Sequence, residues 1–233
     1  MARTMITAHS GCEGTSENSL ESVQAGIRAG ADCVEVDVRL DASGNLWLTH
    51  NEVERFTGLV SLKEAMAAAR DAGVGINCDL KEEKALYPVL DLADREGLDR
   101  HLLILSGSVD IPLVRRDPSI SRRAQIYANS EVIARYLSPD IGDDRAAHTA
   151  FLTEQAADTA QLLRDIGAAA LNAPHWFTTD SMIAAMKAWG IALSLWTVND
   201  EEHLRRLLSA GVMNITTRTP ATALQLRDQA IAK

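Results

Sequence analysis

Residues 33–40 read Cys33-Val34-Glu35-Val36-Asp37-Val38-Arg39-Leu40, and residues 75–81 read Gly75-Ile76-Asn77-Cys78-Asp79-Leu80-Lys81. In an extended chain successive side chains point to opposite faces, so each stretch is a strand with one apolar and one ionisable face. The first carries Glu35 and Asp37 on one side and Val34, Val36 and Val38 on the other; the second sets Asn77, Asp79 and Lys81 against Ile76, Cys78 and Leu80. If the valines face covering helices, both carboxylates project into the interior of the sheet, where two uncompensated negative charges are strongly destabilised. A cation is the natural compensation. The competing reading is a solvent-facing strand with ordinary surface acids.

Outward from these two strands, short β-rich runs alternate with amphipathic runs of helical period along the whole chain, the pattern of repeated βα units around a parallel sheet. Strands are expected near Thr4–His9, Cys33–Leu40, Gly75–Lys81, His101–Ser106, Ala124–Ala128, Ala168–Asn172, Ile191–Val198 and Val212–Thr217. Helices are expected near Ser19–Ala29, Leu62–Ala72, Lys84–Glu96, Asp110–Arg116, Glu131–Leu137 with Thr153–Ile166, Asp180–Trp189, Asp200–Ala210 and Pro220–Ala230. Ser61 with Glu64 three residues on forms a capping box, Asp180 and Asp200 open helices, and Gly30, Gly73, Gly97, Gly190 and Gly211 sit where a left-handed C-cap favours glycine. The polar stretch Ser138–Phe151 reads as a long loop. Eight βα units indicate a single (β/α)8 TIM barrel over residues 1–233, although an open doubly wound sheet shows the same alternation. No GxGxxG follows the first strand.

In a barrel, polar residues where strands end are the ones that carry chemistry. His9 ends the first strand. Asp41-Ala42-Ser43-Gly44 is turn chemistry, and Asn45–His50 reads as an extended return. A four-residue turn pairs Leu40 with Asn45, a register that sets His50 opposite Glu35 and returns it to the carboxylates, the alternatives being a slip of one residue or a histidine merely solvated at a strand end. Asp79 completes a set of three hard oxygen ligands with Glu35 and Asp37, suited to Mg2+ or Ca2+ rather than zinc or copper. Lys81 can neutralise a phosphate as a point charge, or simply snorkel at a strand end.

Bulk properties narrow the partners. Hydrophobic residues are 46% and charged residues 24% of the 233, the composition of a globular chain with a proper core. A net charge of −9 disfavours nucleic acid or an anionic membrane surface. Cys12, Cys33 and Cys78 form no CxxC pair and fit a reducing cytoplasm. No apolar run reaches the roughly 18 residues of a membrane span, and the first residues do not read as a secretion signal.

Several segments, taken in order, resemble the glycerophosphodiester phosphodiesterases. These are His9-Ser10-Gly11, Glu17-Asn18-Ser19-Leu20, Gly30-Ala31-Asp32, Glu35-Val36-Asp37-Val38, His50-Asn51, Asn77-Cys78-Asp79-Leu80-Lys81 and Trp196-Thr197-Val198-Asn199. They are similar to the family's HRG, PENT, GAD, E-x-D-V, HD, N-x-E-x-K and WTVN. The resemblance implies metal-dependent hydrolysis of a small phosphodiester to glycerol 3-phosphate and an alcohol. His9 and His50 would be acid and base, Glu35, Asp37 and Asp79 the ligands of a Mg2+ or Ca2+ ion, and Lys81, Trp196 and Ser10 the substrate contacts. Ser10 stands where the family has arginine, Asn51 where it has aspartate, and Asp79 where it has glutamate. Met213–Pro220 departs from the family's GVDGIITDRP ending, and only about ten residues separate His50 from the helix at Leu62, which implies an open mouth without a large insertion domain. The alternative reading is a catalytically weak or inactive barrel that binds a phosphorylated metabolite; a third is a lyase or isomerase barrel, for example a Schiff-base aldolase using Lys81.

Overall fold

A computed structural model of the chain describes residues 3–231. Eight parallel strands close into a barrel: β1 (Met5–Ala8), β2 (Cys33–Leu40), β4 (Gly75–Leu80), β5 (Leu103–Gly107), β6 (Gln125–Asn129), β7 (Ala170–Pro174), β8 (Leu193–Trp196) and β9 (Asn214–Thr217). Closure comes from β1, which pairs with β9 on one side and with the start of β2 on the other. The remaining strand, β3 (Leu46–Leu48), runs antiparallel along the last residues of β2, beyond the point where β1 stops.

The alternation read from β2 holds. Val34, Val36 and Val38 are buried in the main apolar core, between the sheet and the helices outside it. The inward residues are polar and hydrogen-bonded to one another across strands. Ser106 Oγ donates to Asn77 Oδ1 at 3.0 Å, Thr7 Oγ1 to Asn214 Oδ1 at 2.8 Å, and Asn214 Nδ2 to Ser194 Oγ at 2.9 Å. Most buried polar groups in folded proteins are so satisfied. Asp32 does the same below the barrel, accepting from Ile6 N at 2.8 Å and from the buried Arg227 at 2.5 Å, which ties β1 and the last helix to the entry of β2. It therefore serves the scaffold rather than the mouth.

Helix termini follow the expected chemistry. Ser61 and Glu64 form the reciprocal capping box, Asp200 caps Glu202 and His203, and all five expected C-cap glycines have positive φ. Thr179, not Asp180, caps the helix Asp180–Ala188. A short helix Ser119–Arg123 is present that no periodicity announced. The stretch expected as a loop is partly helical, because Arg145–Glu154 forms a helix capped by Asp144. Its buried face is built from His148, Thr149 and Leu152, so two of its three inward residues are polar and the apolar stripe is missing from the sequence.

The hairpin between β2 and β3 differs from the expected register by one residue: Leu40 pairs with Leu46 and Val38 with Leu48. Gly44 N donates to Asp41 O, Gly44 takes φ +83°, and Asp41 N donates to Asn45 O. This is a three-residue loop, a type I turn followed by a left-handed residue, which uses one residue fewer than the expected four. Strand pairing ends at Leu48, so His50 reaches the mouth on a loop and not as a cross-strand partner of Glu35.

Candidate active site and metal centre

β2 and β4 lie side by side with Glu35 opposite Asn77 and Asp37 opposite Asp79. Equal inward orientation of residues two apart then brings three carboxylates together: oxygens of Glu35, Asp37 and Asp79 lie within 4.8 Å of one another. They open onto a cavity of about 550 Å3 at the C-terminal ends of the strands, whose wall also includes His9, His50, Lys81 and Trp196.

Each carboxylate is held differently. Glu35 is 6% exposed and accepts from Ser10 N at 2.9 Å; burial, opposed by His9 and reinforced by Asp37 and Asp79, pushes its pKa up to about 7. Asp37 exchanges two hydrogen bonds with Asn18, whose amide donates to Oδ2 at 2.8 Å and accepts from Asp37 N at 3.0 Å. Burial works against its charge, but Lys81, the Asn18 hydrogen bond and the nearby His50 together outweigh it and hold the pKa below the usual aspartate value. Asp79 accepts from Ser106 Oγ at 3.2 Å and pairs with Lys81. There burial wins over the lysine and the pKa is raised. The Lys81 ammonium bridges the last two carboxylates, 2.7 Å from Asp37 Oδ1. Burial opposes the ammonium, yet Asp79 and Asp37 raise its pKa.

One ammonium against two buried carboxylates and a half-buried third leaves excess negative charge, which a divalent metal held by the trio would offset. Gly107 makes room for this arrangement. At φ +77°, a Cβ there would stand 2.3 Å from Asp79 Oδ1 and 2.4 Å from Leu80 O, so only glycine fits beside the acid.

The two histidines flank the trio. His9 Nδ1 lies 2.7 Å from Ser10 O, 3.4 Å from Arg218 Nε and 3.8 Å from Glu35 Oε2. A carbonyl oxygen only accepts, so the shortest contact assigns the proton to Nδ1 and leaves Nε2 with its lone pair. His50 is exposed at the rim with Nδ1 3.0 Å from Asn51 Oδ1, while its carbonyl accepts from Arg39 Nε at 3.1 Å. The neutral Asn51 amide thus stands beside His50. Trp196 packs edge-on against Trp176 at 5.6 Å, with the Arg145 guanidinium 5.5 Å over its ring.

Ser10 is the expected site residue that the structure does not bring to the cavity wall. It is 2% exposed, and its hydroxyl accepts from Asn18 N at 2.5 Å inside the loop after β1. Asn18 stands in the Glu17-Asn18-Ser19-Leu20 motif without an assigned role, and the sequence alone gives no role to Ser106, Gly107, Arg135, Arg145 or Arg218. Arg218 was findable, since it immediately follows a strand; Arg145 lies in the stretch read as a loop.

The chain matches the model of the glycerophosphoryl diester phosphodiesterase family over residues 7–222. A glycerophosphodiester phosphodiesterase from Caldanaerobacter subterraneus subsp. tengcongensis is 26% identical over 239 residues, spanning 96% of this chain and 98% of that one. Among solved structures, a glycerophosphodiester phosphodiesterase from Thermotoga maritima superposes with a TM-score of 0.72 at 20% identity, over 97% of this chain and 99% of that one. An Oleispira antarctica phosphodiesterase in complex with the product sn-glycerol-3-phosphate does so with 0.71 at 18% identity, over 97% of each chain. With the same barrel and a match spanning nearly its whole length, the chain belongs to the glycerophosphoryl diester phosphodiesterase family and is a phosphodiesterase.

Proposed function

We propose that the protein hydrolyses glycerophosphodiesters, or a closely related small phosphodiester, to glycerol 3-phosphate and an alcohol, using His9 and His50 as paired acid and base and a divalent cation, Mg2+ or Ca2+. The observation that carries this reading is the convergence of Glu35, Asp37 and Asp79 within 4.8 Å in a cavity whose wall also contains both histidines. Three carboxylates are hard oxygen donors and fit such an ion. When bound, the cation would draw charge from the phosphoryl oxygens.

The rest of the chemistry falls to the chain. His9, with its proton on Nδ1, presents Nε2 as the site that takes or returns a proton. The Asn51 amide oxygen can accept from His50 Nδ1 and so hold the His50 ring with Nε2 free. One imidazole removes the proton from the attacking water as its oxygen bonds to phosphorus, and the other protonates the leaving alkoxide as its bond to phosphorus breaks; where the glycerol hydroxyl attacks first, the alcohol leaves from a cyclic phosphate that water then opens in a second such step. Trp196 offers an apolar wall for the carbon skeleton of the substrate. The buried, unpaired cysteines support a cytoplasmic setting. Among the described residues no helix is long and apolar enough to cross a membrane.

Release of glycerol 3-phosphate from a panel of glycerophosphodiesters, with Mg2+, with Ca2+ and with chelator, tests the reading. Turnover that depends on divalent ion is expected. Absence of turnover on every diester, together with binding of a phosphorylated metabolite, would replace hydrolysis by the binding-protein alternative.

A further inference from the structure

The loop after β9 carries a guanidinium whose place in the site no sequence motif explains. Arg218 is anchored through its backbone to two other loops: its N–H donates to Asn199 Oδ1 at 2.8 Å, and its carbonyl accepts from Glu13 N at 2.9 Å. From that fixed point the side chain joins the cavity wall beside His9, with Nε 3.4 Å from His9 Nδ1 and Nη2 ion-paired to Glu17, another wall residue. It is 44% exposed, and Nη1 has no hydrogen-bond partner among the described residues.

The other cations of the wall are differently committed. Lys81 is held between two carboxylates, Arg135 pairs with Asp143, and Arg145 lies over the Trp196 ring. A phosphodiester presents two non-bridging oxygens, and a planar guanidinium donates to such oxygens with a fixed geometry that an ammonium lacks. Ser10, on the loop after β1, offers no such donor because its hydroxyl is turned toward Asn18 N.

We infer that Arg218 binds the phosphoryl group of the substrate, donating from Nη1 to a non-bridging oxygen on the His9 side of the carboxylate trio. Glu17 is the positioning residue that fixes the plane of the guanidinium. The inference rests on the phosphodiester reading for its substrate, and it extends to the phosphate monoester product, which presents the same oxygens to the same donor.

The test uses the whole chain loaded with Mg2+ or Ca2+. Calorimetric titration with sn-glycerol 3-phosphate, and kcat/KM on glycerophosphodiesters, are compared for wild type, Arg218→Gln, Arg218→Lys and Glu17→Gln. Arg218→Gln is expected to weaken glycerol 3-phosphate binding and to lower kcat/KM, each by roughly tenfold to a hundredfold, the range of a hydrogen bond to a charged group. Affinity for glycerol, which lacks the phosphate, and for the divalent ion should stay at wild-type values. Arg218→Lys should recover part of the loss, and Glu17→Gln should lose less than Arg218→Gln. Arg218→Lys also serves as the probe if Arg218→Gln fails to fold, since it keeps the charge and changes only the fork.

Wild-type affinity and kcat/KM in Arg218→Gln overturn the inference while leaving the phosphodiesterase reading intact. Binding of glycerol 3-phosphate that depends on Arg218 in a protein that cleaves no diester leaves the contact standing and overturns hydrolysis. A wild type that neither binds nor cleaves overturns both, and a Glu17→Gln variant indistinguishable from wild type removes the positioning role.

Discussion

Lys81 Nζ stands 2.7 Å from Asp37 Oδ1 and also pairs with Asp79, so a single ammonium joins β2 to β4 at the mouth of the barrel. Removing one partner of a buried ion pair leaves the others uncompensated, at a cost of about 3 to 5 kcal/mol. Lys81 is 17% exposed, so the lower end of that range is expected for Lys81→Ala without divalent ion. Added Mg2+ or Ca2+ should raise the melting temperature of Lys81→Ala by more than that of wild type, because the ion then meets a site of greater negative charge. Equal shifts in the two proteins would mean that the trio and the lysine are not electrostatically coupled.

The raised pKa of Glu35 has a definite consequence for stability. Its value of about 7 lies above the roughly 4.3 of an unfolded glutamate. Between those limits the native state keeps a proton that the unfolded state has released, so this contribution is complete below about pH 4.3 and is lost as pH rises to about 7. A divalent ion held by the deprotonated carboxylates would oppose the loss. Thermal melts with and without Ca2+ should therefore show a larger stabilisation by the ion at pH 8 than at pH 5.5. A stabilisation independent of pH would rule out Glu35 as a ligand that exchanges its proton for the ion.

The two histidines should behave as one unit. General acid and base catalysis needs one imidazole protonated and one neutral, so the pH profile of kcat/KM should be bell-shaped, and each histidine is worth typically a hundredfold to ten-thousandfold. His9→Ala and His50→Ala should each collapse kcat while leaving calorimetric divalent binding largely intact. The double variant should lose little more than the worse single one, because paired groups are non-additive. Wild-type turnover in both single variants would exclude the mechanism while leaving the fold untouched.

Gly107→Ala tests the close approach on β5. Its Cβ would fall 2.3 Å from Asp79 Oδ1, at a positive φ that itself costs a non-glycine residue on the order of 1 to 2 kcal/mol. Asp79 must move, so divalent affinity should fall at least tenfold, together with a lower melting temperature. Unchanged affinity in a destabilised but folded variant would place Asp79 outside the ligand set.

Much of this protein is determined by local sequence. The alternation of Val34, Val36 and Val38 with Glu35 and Asp37 defines both the strand and its inward face, because side chains in a strand have a period of two and the face packed under the helices is the apolar one. Capping residues and C-cap glycines place helix ends such as Ser61 and Gly73 for the same reason, since their partners lie within a few residues. Where the inward face is polar the signal vanishes, as in the helix that buries His148 and Thr149. The hairpin register was equally beyond the sequence, because a three-residue and a four-residue loop share the same Asp-Ala-Ser-Gly chemistry and differ in which backbone groups close the turn. Only the tertiary structure brings Arg218 to His9 across 209 positions, sets Gly107 against Asp79, and turns Ser10 inward to Asn18. The first two contacts arise from closing the barrel between β1 and β9 and from packing neighbouring strands, and distances across a closed sheet are written in no local pattern of residues.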